Sequence, residues 1–223
     1  MTAGLTARPG GADLRRLVAI IPVRTLEGAK SRLGGSLDAE ERQDLVRLLL
    51  GRTLKAVGRV AAIESALVIS PDPAILELAR ADGAEPLQQA GEGLNEGLEQ
   101  AVVRALADGA TAVLVIAGDL PSVSEEAIGQ IVSTAAAAAS GARAIVVVVP
   151  DRHGRGTNAL LLSPPDAIRF AFGVDSRVAH EAAARAAGAL SLEVDGPLAI
   201  DLDLPEDLTL AEELGLLDPA HGG

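Results

Sequence analysis

Residues 113–117, VLVIA, form an unbroken apolar run, rich in β-branched side chains, that stops at Gly118 and Asp119. A short run apolar on both alternate faces reads as a strand buried on both sides, the signature of a parallel sheet covered by helices. In such sheets ligands bind beyond the carboxyl ends of the strands, and Asp119 stands at one such end. A carboxylate delivered there suits a metal or a metal-bound phosphate. It also suits a simple turn cap ahead of Pro121.

The rest of the chain alternates strand and helix around that run. Strands are expected at 17–23, 65–70, 84–87, 144–149, 158–162 and 190–194. Helices are expected from a Ser36 or Asp38 cap to about Val60, from Pro73 to about Asp82, over 94–108, from a Ser122 or Ser124 cap through 135–139, over 178–187, and from Pro205. The alternation predicts one doubly wound α/β domain. Residues 1–16 read as a loose extension, 17–214 as the domain and 215–223 as a tail. After residue 150 the pattern is less regular, as if an insertion covered one end of the sheet.

Composition excludes several functions. The 223 residues contain no cysteine, no Trp, no Tyr and only two Phe. Disulfides, thiolate nucleophiles and Cys-type zinc sites are therefore ruled out, and stacking platforms for single-stranded nucleic acid are almost absent. A net charge of −12 disfavours nucleic acid and anionic membranes as partners. No apolar run reaches the roughly 18 residues of a membrane span, and the N-terminus lacks the apolar core of a signal peptide. A cytoplasmic protein is expected.

Three loops carry candidate chemistry. Residues 24–35, RTLEGAKSRLGG, follow the first strand and bring Arg24, Lys30 and Arg32 together with glycine. Backbone N–H groups and cationic tips can converge there on a phosphate, although no Walker A motif is present. Residues 150–157, PDRHGRGT, form a second glycine-rich cationic loop. In LAIDLDLPEDL, 198–208, Asp201 and Asp203 stand two apart. In extended chain both would share a face, which is unfavourable for like charges about 4 Å apart, by roughly 4 kcal/mol at a dielectric of 20, unless a cation intervenes. A solvated turn before the Pro205 helix is the alternative. Asn95 stands where it could cap the 94–108 helix or offer its amide to a nucleotide. His153 and His221 read as non-catalytic. Phe170 and Phe172 read as packing or as a site wall.

The segments IPVRTLEGAKSRL, VISPD, GLNEGL, AGDLP, DRHGRGTNALLL, FGVDS and IDLDLPEDL, in that order, resemble the CofC/FbiD guanylyltransferases of coenzyme F(420) biosynthesis, from about Leu17 to Leu214. AGDLP and D-x-D-x-P-x-D-L are shared with the wider MobA-like superfamily; RHGRGTN and FGVDS narrow the match. The resemblance implies a nucleotide-diphospho-sugar transferase type of fold. It also implies a reaction joining GMP from GTP to phosphoenolpyruvate or 2-phospho-L-lactate, or 3-phosphoglycerate in some members, with release of pyrophosphate. By the same resemblance Asp119, Asp201 and Asp203 form an Mg²⁺ site, Lys30 and Arg32 act on the triphosphate with Arg24 beside them, and Asn95 lies near the nucleotide. Thr157, Gly173 and Ser176 match the positions that hold the acid. Leu204 departs from the Thr common in the superfamily, and Arg24 from a frequent Lys. GTP is thus the expected co-substrate, a homodimer and a hand-off of product to a following enzyme are further expectations, and another MobA-like nucleotidyltransferase or a non-catalytic GTP-binding module are the rival readings.

Overall fold

In the computed structural model, residues 11–27 and 30–217 are described. Seven strands form one sheet: β1 (Leu17–Pro22), β2 (Ile63–Ser70), β3 (Glu85–Gln88), β4 (Ala112–Ile116), β5 (Ile145–Pro150), β6 (Thr157–Ser163) and β7 (Leu190–Glu193). Their order is β3-β2-β1-β4-β6-β5-β7. Every pairing is parallel except those of β6, which runs antiparallel to both β4 and β5. The helices are α1 (Ala39–Arg59), α2 (Pro73–Ala81), α3 (Leu94–Ala107), α4 (Glu125–Ala139), α5 (Ser176–Ala187) and α6 (Pro205–Glu213). None of the described helices is long and apolar enough to cross a membrane.

The central strands are buried on both faces because helices cover both. Side chains alternate along each strand, so β4 sends Ala112, Leu114 and Ile116 into a core shared with α1, α2 and α4. It sends Val113 and Val115 into a second core with α3 and α5. A third, smaller cluster joins Leu33, Leu37, Leu45, Leu49, Leu202, Ala211 and Leu217. It ties the segment after β1 to the aspartate-rich segment before α6.

Three expectations need correction. The region after 150 is not a cover over one end of the sheet: β6 enters between β4 and β5, and β7 extends the edge. No strand forms at 200–204; a 3-10 turn at Pro197–Ala199 leads into irregular chain. The terminal segments are tied down where they are described. The Ala12 N–H donates to the Ala142 carbonyl, the Asp13 N–H to Ser163 Oγ, and Leu217 is buried in the third cluster.

The helix starts follow local chemistry. Asp38 caps α1 with bonds from the Glu40 and Glu41 N–H groups, and Glu41 returns a bond to the Asp38 N–H. Asp72 caps α2 through the Ala74 N–H, and its second oxygen accepts the Leu26 N–H, pinning the loop after β1. Ser124, rather than Ser122, caps α4. Asn95 is not a cap; that position is Gly93.

Candidate active site

The antiparallel β6 decides where the site lies. Ile116, the last residue of β4, pairs with Ala159, so the amino end of β6 lies beside the carboxyl end of β4. Thr157 and Asn158 therefore lie on the same side as Asp119 and the loop after β1, beyond the carboxyl ends of the parallel strands. Gly118 permits the close approach: a Cβ there would meet Val23 Cγ2 at 3.2 Å and the Pro22 carbonyl at 3.4 Å.

Lys30 is the centre of the cationic loop. Its ammonium binds Asp119 Oδ2 and, at 2.9 Å, Asp203 Oδ1. Burial opposes the charge on Lys30, but Asp119 and Asp203 outweigh it and raise the ammonium above its ordinary pKa. Asp201 is half-buried beside them. Its carboxyl is raised to about 6, first by burial and then by the charges of Asp119 and Asp203. Leu202, fully buried between Asp201 and Asp203, packs with Leu33 just after Lys30. The third cluster thus holds cation and carboxylates in register.

Further bonds lock the carboxylate segment. The Leu202 N–H donates to the Asp119 carbonyl at 3.3 Å. The Asn158 amide donates to the Leu198 and Ala199 carbonyls at 2.9 and 3.0 Å. Asp207 Oδ2 accepts the N–H groups of Asp203 and Leu204 at 3.0 and 2.7 Å, while its other oxygen pairs with Arg152. Among the described residues no three His, Cys, Asp or Glu side chains are grouped so as to hold a metal ion by themselves. Asp119 and Asp203 do share one cation, and both offer hard oxygen donors.

A second group of polar residues lies at the start of β6 and α5. Ser176 Oγ and Thr157 Oγ1 are 3.1 Å apart and both buried. Thr157 Oγ1 is also 3.2 Å from His180 Nδ1. Gly173 opens the turn into α5 at φ 134°, a region that favours glycine. Arg177 Nε donates to the Gly154 carbonyl, and Arg155 pairs with Asp175, so the glycine-rich 150–157 loop is tied to the same turn.

Of the residues expected from sequence, Lys30, Asp119 and Asp203 meet directly and Asp201 joins them electrostatically. Thr157 and Ser176 meet, with Gly173 opening the turn before Ser176. Arg24 and Arg32 are exposed and carry no ion pair among the described residues. Asn95 is committed elsewhere: its Nδ2 donates to the Phe172 carbonyl at 3.0 Å and its Oδ1 accepts the Phe172 N–H at 2.9 Å. It holds the FGVDS turn against α3. Phe170 packs in the second core, and Phe172 sets its ring edge-on to His180, 4.9 Å between centroids. His153 is exposed and His221 lies outside the described residues. Asn158, Arg152 and Asp207 lie within the quoted motifs, but their partners are distant in the chain, and His180 is one of several polar residues in an Ala-rich helix with no local signal to mark it.

The family model described as guanylyl transferase CofC like matches residues 17–214. A phosphoenolpyruvate guanylyltransferase of Sphaerobacter thermophilus is 43% identical over 193 residues, covering 86% of this chain and 90% of that protein. One of Rubrobacter xylanophilus is 43% identical over 198 residues, covering 88% and 94%. Among solved structures, a nucleotidyl transferase from Methanothermobacter aligns with TM-score 0.62 at 14% identity, over 90% of this chain and 98% of that one. A 4-diphosphocytidyl-2C-methyl-D-erythritol synthase from Anaerococcus prevotii aligns with TM-score 0.60 at 14% identity, over 92% and 98%. These two likenesses establish the fold; the family match and the closer relatives establish kinship, and the chain belongs to the CofC-like guanylyl transferases.

Proposed function

We propose that this guanylyl transferase joins GMP from GTP to phosphoenolpyruvate, giving enolpyruvoyl-2-diphospho-5'-guanosine and pyrophosphate in coenzyme F(420) biosynthesis. The observation that carries the reading is the meeting of Lys30 with Asp119 and Asp203, Asp201 alongside, at the carboxyl edge of the sheet. The choice of phosphoenolpyruvate over 2-phospho-L-lactate is supported by the name its relatives carry.

In the reaction a phosphate oxygen of the acid attacks the α-phosphorus of GTP, and the bond to the β-phosphate oxygen breaks. The attacking oxygen is already ionised near neutral pH, so no general base is required. Alignment and charge neutralisation suffice. Lys30, Arg32 and Arg24 supply positive charge to the triphosphate. The Thr157 and Ser176 hydroxyls, next to the Gly173 turn, hydrogen-bond the acid. Asn95 orients that turn through its two bonds to the Phe172 backbone.

Mg²⁺ fits the donor set, because that ion is usually held by one or two carboxylates and completes its shell with phosphate oxygens and water. Asp119 and Asp203 would hold it, with Asp201 adjacent, and it would neutralise charge on the phosphates during transfer. The enzyme would work in the cytoplasm, where GTP is supplied, and would deliver its diphosphate product to a following enzyme.

Pyrophosphate release with Mg²⁺ and GTP, offering phosphoenolpyruvate, 2-phospho-L-lactate and 3-phosphoglycerate separately and ATP as control, tests the reading. Release dependent on phosphoenolpyruvate and GTP is expected. GTP binding with no release for any acid would instead favour a non-catalytic module.

A further inference from the structure

His180 is the one buried imidazole among the described residues, and no step of the reaction above uses it. It lies on α5, one turn beyond Ser176, and is fully buried. The Ala171 N–H donates to its Nε2 at 3.0 Å, and Thr157 Oγ1 lies 3.2 Å from its Nδ1. Burial lowers its pKa to about 4, so the ring is neutral near pH 7.

The bonding around the ring decides its tautomer. A backbone N–H can only donate, so Nε2 must present its lone pair to Ala171. The proton of the neutral ring is therefore on Nδ1, which donates to Thr157 Oγ1. The consequence reaches the Ser176–Thr157 pair. The two hydroxyls own two protons, and their mutual contact at 3.1 Å uses one. With Nδ1 donating to Thr157, the second hydroxyl proton has no internal acceptor in this triad and is left to donate outward. In the opposite tautomer Thr157 would give its proton to Nδ1, Ser176 would give its own to Thr157, and neither hydroxyl would have one to offer.

We propose that His180 is a positioning residue that makes the Thr157–Ser176 pair a net hydrogen-bond donor, matched to an anionic oxygen of the phosphorylated acid rather than to GTP. This rests on the proposed function for the identity of the acid. The donor character itself rests only on the bonding of His180.

Two measurements test it. In the wild-type protein, ¹⁵N-resolved imidazole NMR of His180 is expected to report the Nδ1–H tautomer; an Nε2–H tautomer overturns the inference, whatever the enzyme's activity. Kinetics then use a pair of variants. His180→Gln keeps an acceptor that reaches Ala171 from the ε position but has no N–H at the place of Nδ1, so its amide does not replace the donor to Thr157. It should raise KM for phosphoenolpyruvate about 10-fold while changing KM for GTP by less than about 2-fold. His180→Asn, whose amide can stand in for Nδ1–H, should bring the acid's KM back to within about 3-fold of wild type. Equal rises in both KM values, or an unchanged acid KM in His180→Gln, overturn the inference while wild-type turnover leaves the proposed function standing. If the glutamine variant fails to fold, the asparagine variant and the tautomer decide. Wild type that releases no pyrophosphate with any acid sinks the proposed function and the substrate half of this inference together, and the tautomer alone then decides the donor half.

Discussion

At the scale of single residues, burial shifts Asp201 and His180 in opposite directions. The Asp201 carboxyl rises from 3.8 to about 6, by burial and then by Asp119 and Asp203. A raised folded pKa means that its contribution to stability is full below about pH 4 and is lost as pH climbs through 6. Ionised Asp201 therefore strains the protein at pH 7. Asp201→Asn should raise Tm there by about 2–4 °C, on the order of 1 kcal/mol after discounting for partial exposure. Thermal unfolding without divalent metal checks this; a lowered Tm would mean that Asp201 is not under strain. Burial lowers His180 from 6.5 to about 4, so its contribution is full above pH 6.5 and fades as pH falls toward 4. The loss of Tm between pH 6.5 and 4.5 should be shallower in His180→Gln than in wild type, and equal slopes would assign that acid sensitivity to other groups. Asp119→Asn should leave the fold intact and cut turnover by at least about 100-fold, since on the proposed reading it removes a carboxylate that would hold Mg²⁺ on the phosphates. Near-normal pyrophosphate release would remove Asp119 from the reaction.

At the scale of elements, the start of α6 is under-provided. Leu204 stands at the N-cap with no side-chain oxygen, and Asp207 compensates by accepting the Asp203 and Leu204 N–H groups. Leu204→Ser should therefore stabilise the protein by about 1 kcal/mol, less whatever packing the leucine supplies. Chemical denaturation at constant m checks it, and destabilisation would show that packing of Leu204 outweighs the missing cap. The elements also mark how far sequence could be read. Strands and helices fall within a few residues of expectation because apolar runs and caps such as Asp38, Asp72 and Ser124 are local signals. Asp201 and Asp203 were visible as a pair, but their alternation comes from the burial of Leu202 rather than from a strand. Asn95 does not cap α3, and its bonds to the Phe172 backbone are invisible locally because that partner is 77 residues away. His180 was missed for the same reason: its partners lie on β6 and before α5, and nothing within its own helix distinguishes it.

At the scale of the molecule, the third cluster is the device that joins the start of the domain to its end. Leu33 follows Lys30, Leu202 separates the two aspartates, and Leu217 closes the group from beyond α6. Arg52 of α1 adds a bond to the Leu216 carbonyl. Ending the chain after Leu214 should therefore cost at least about 1.5–3 kcal/mol, the worth of the buried Leu217 before the lost Leu216 contacts are added. It should also weaken turnover, because Lys30 and Asp203 lose a common support. Tm and pyrophosphate release measured on the truncated chain check both; an unchanged Tm would show that the cluster closes without Leu217.

What the sequence by itself determined was the α/β alternation, the placing of Asp119 at the tip of a buried strand, the lack of thiol and aromatic chemistry, and the motif order that marks the family. Each is written in neighbouring residues, through side-chain periodicity, caps and composition. Only the tertiary structure decided that β6 runs antiparallel between β4 and β5, setting its amino end beside the carboxyl end of β4, that Lys30 bridges Asp119 and Asp203 across 89 and 173 residues, and that His180 meets the Thr157–Ser176 hydroxyls. Those are long-range pairings, fixed by which buried polar groups and apolar clusters can be satisfied at once, and no local pattern in the chain encodes them.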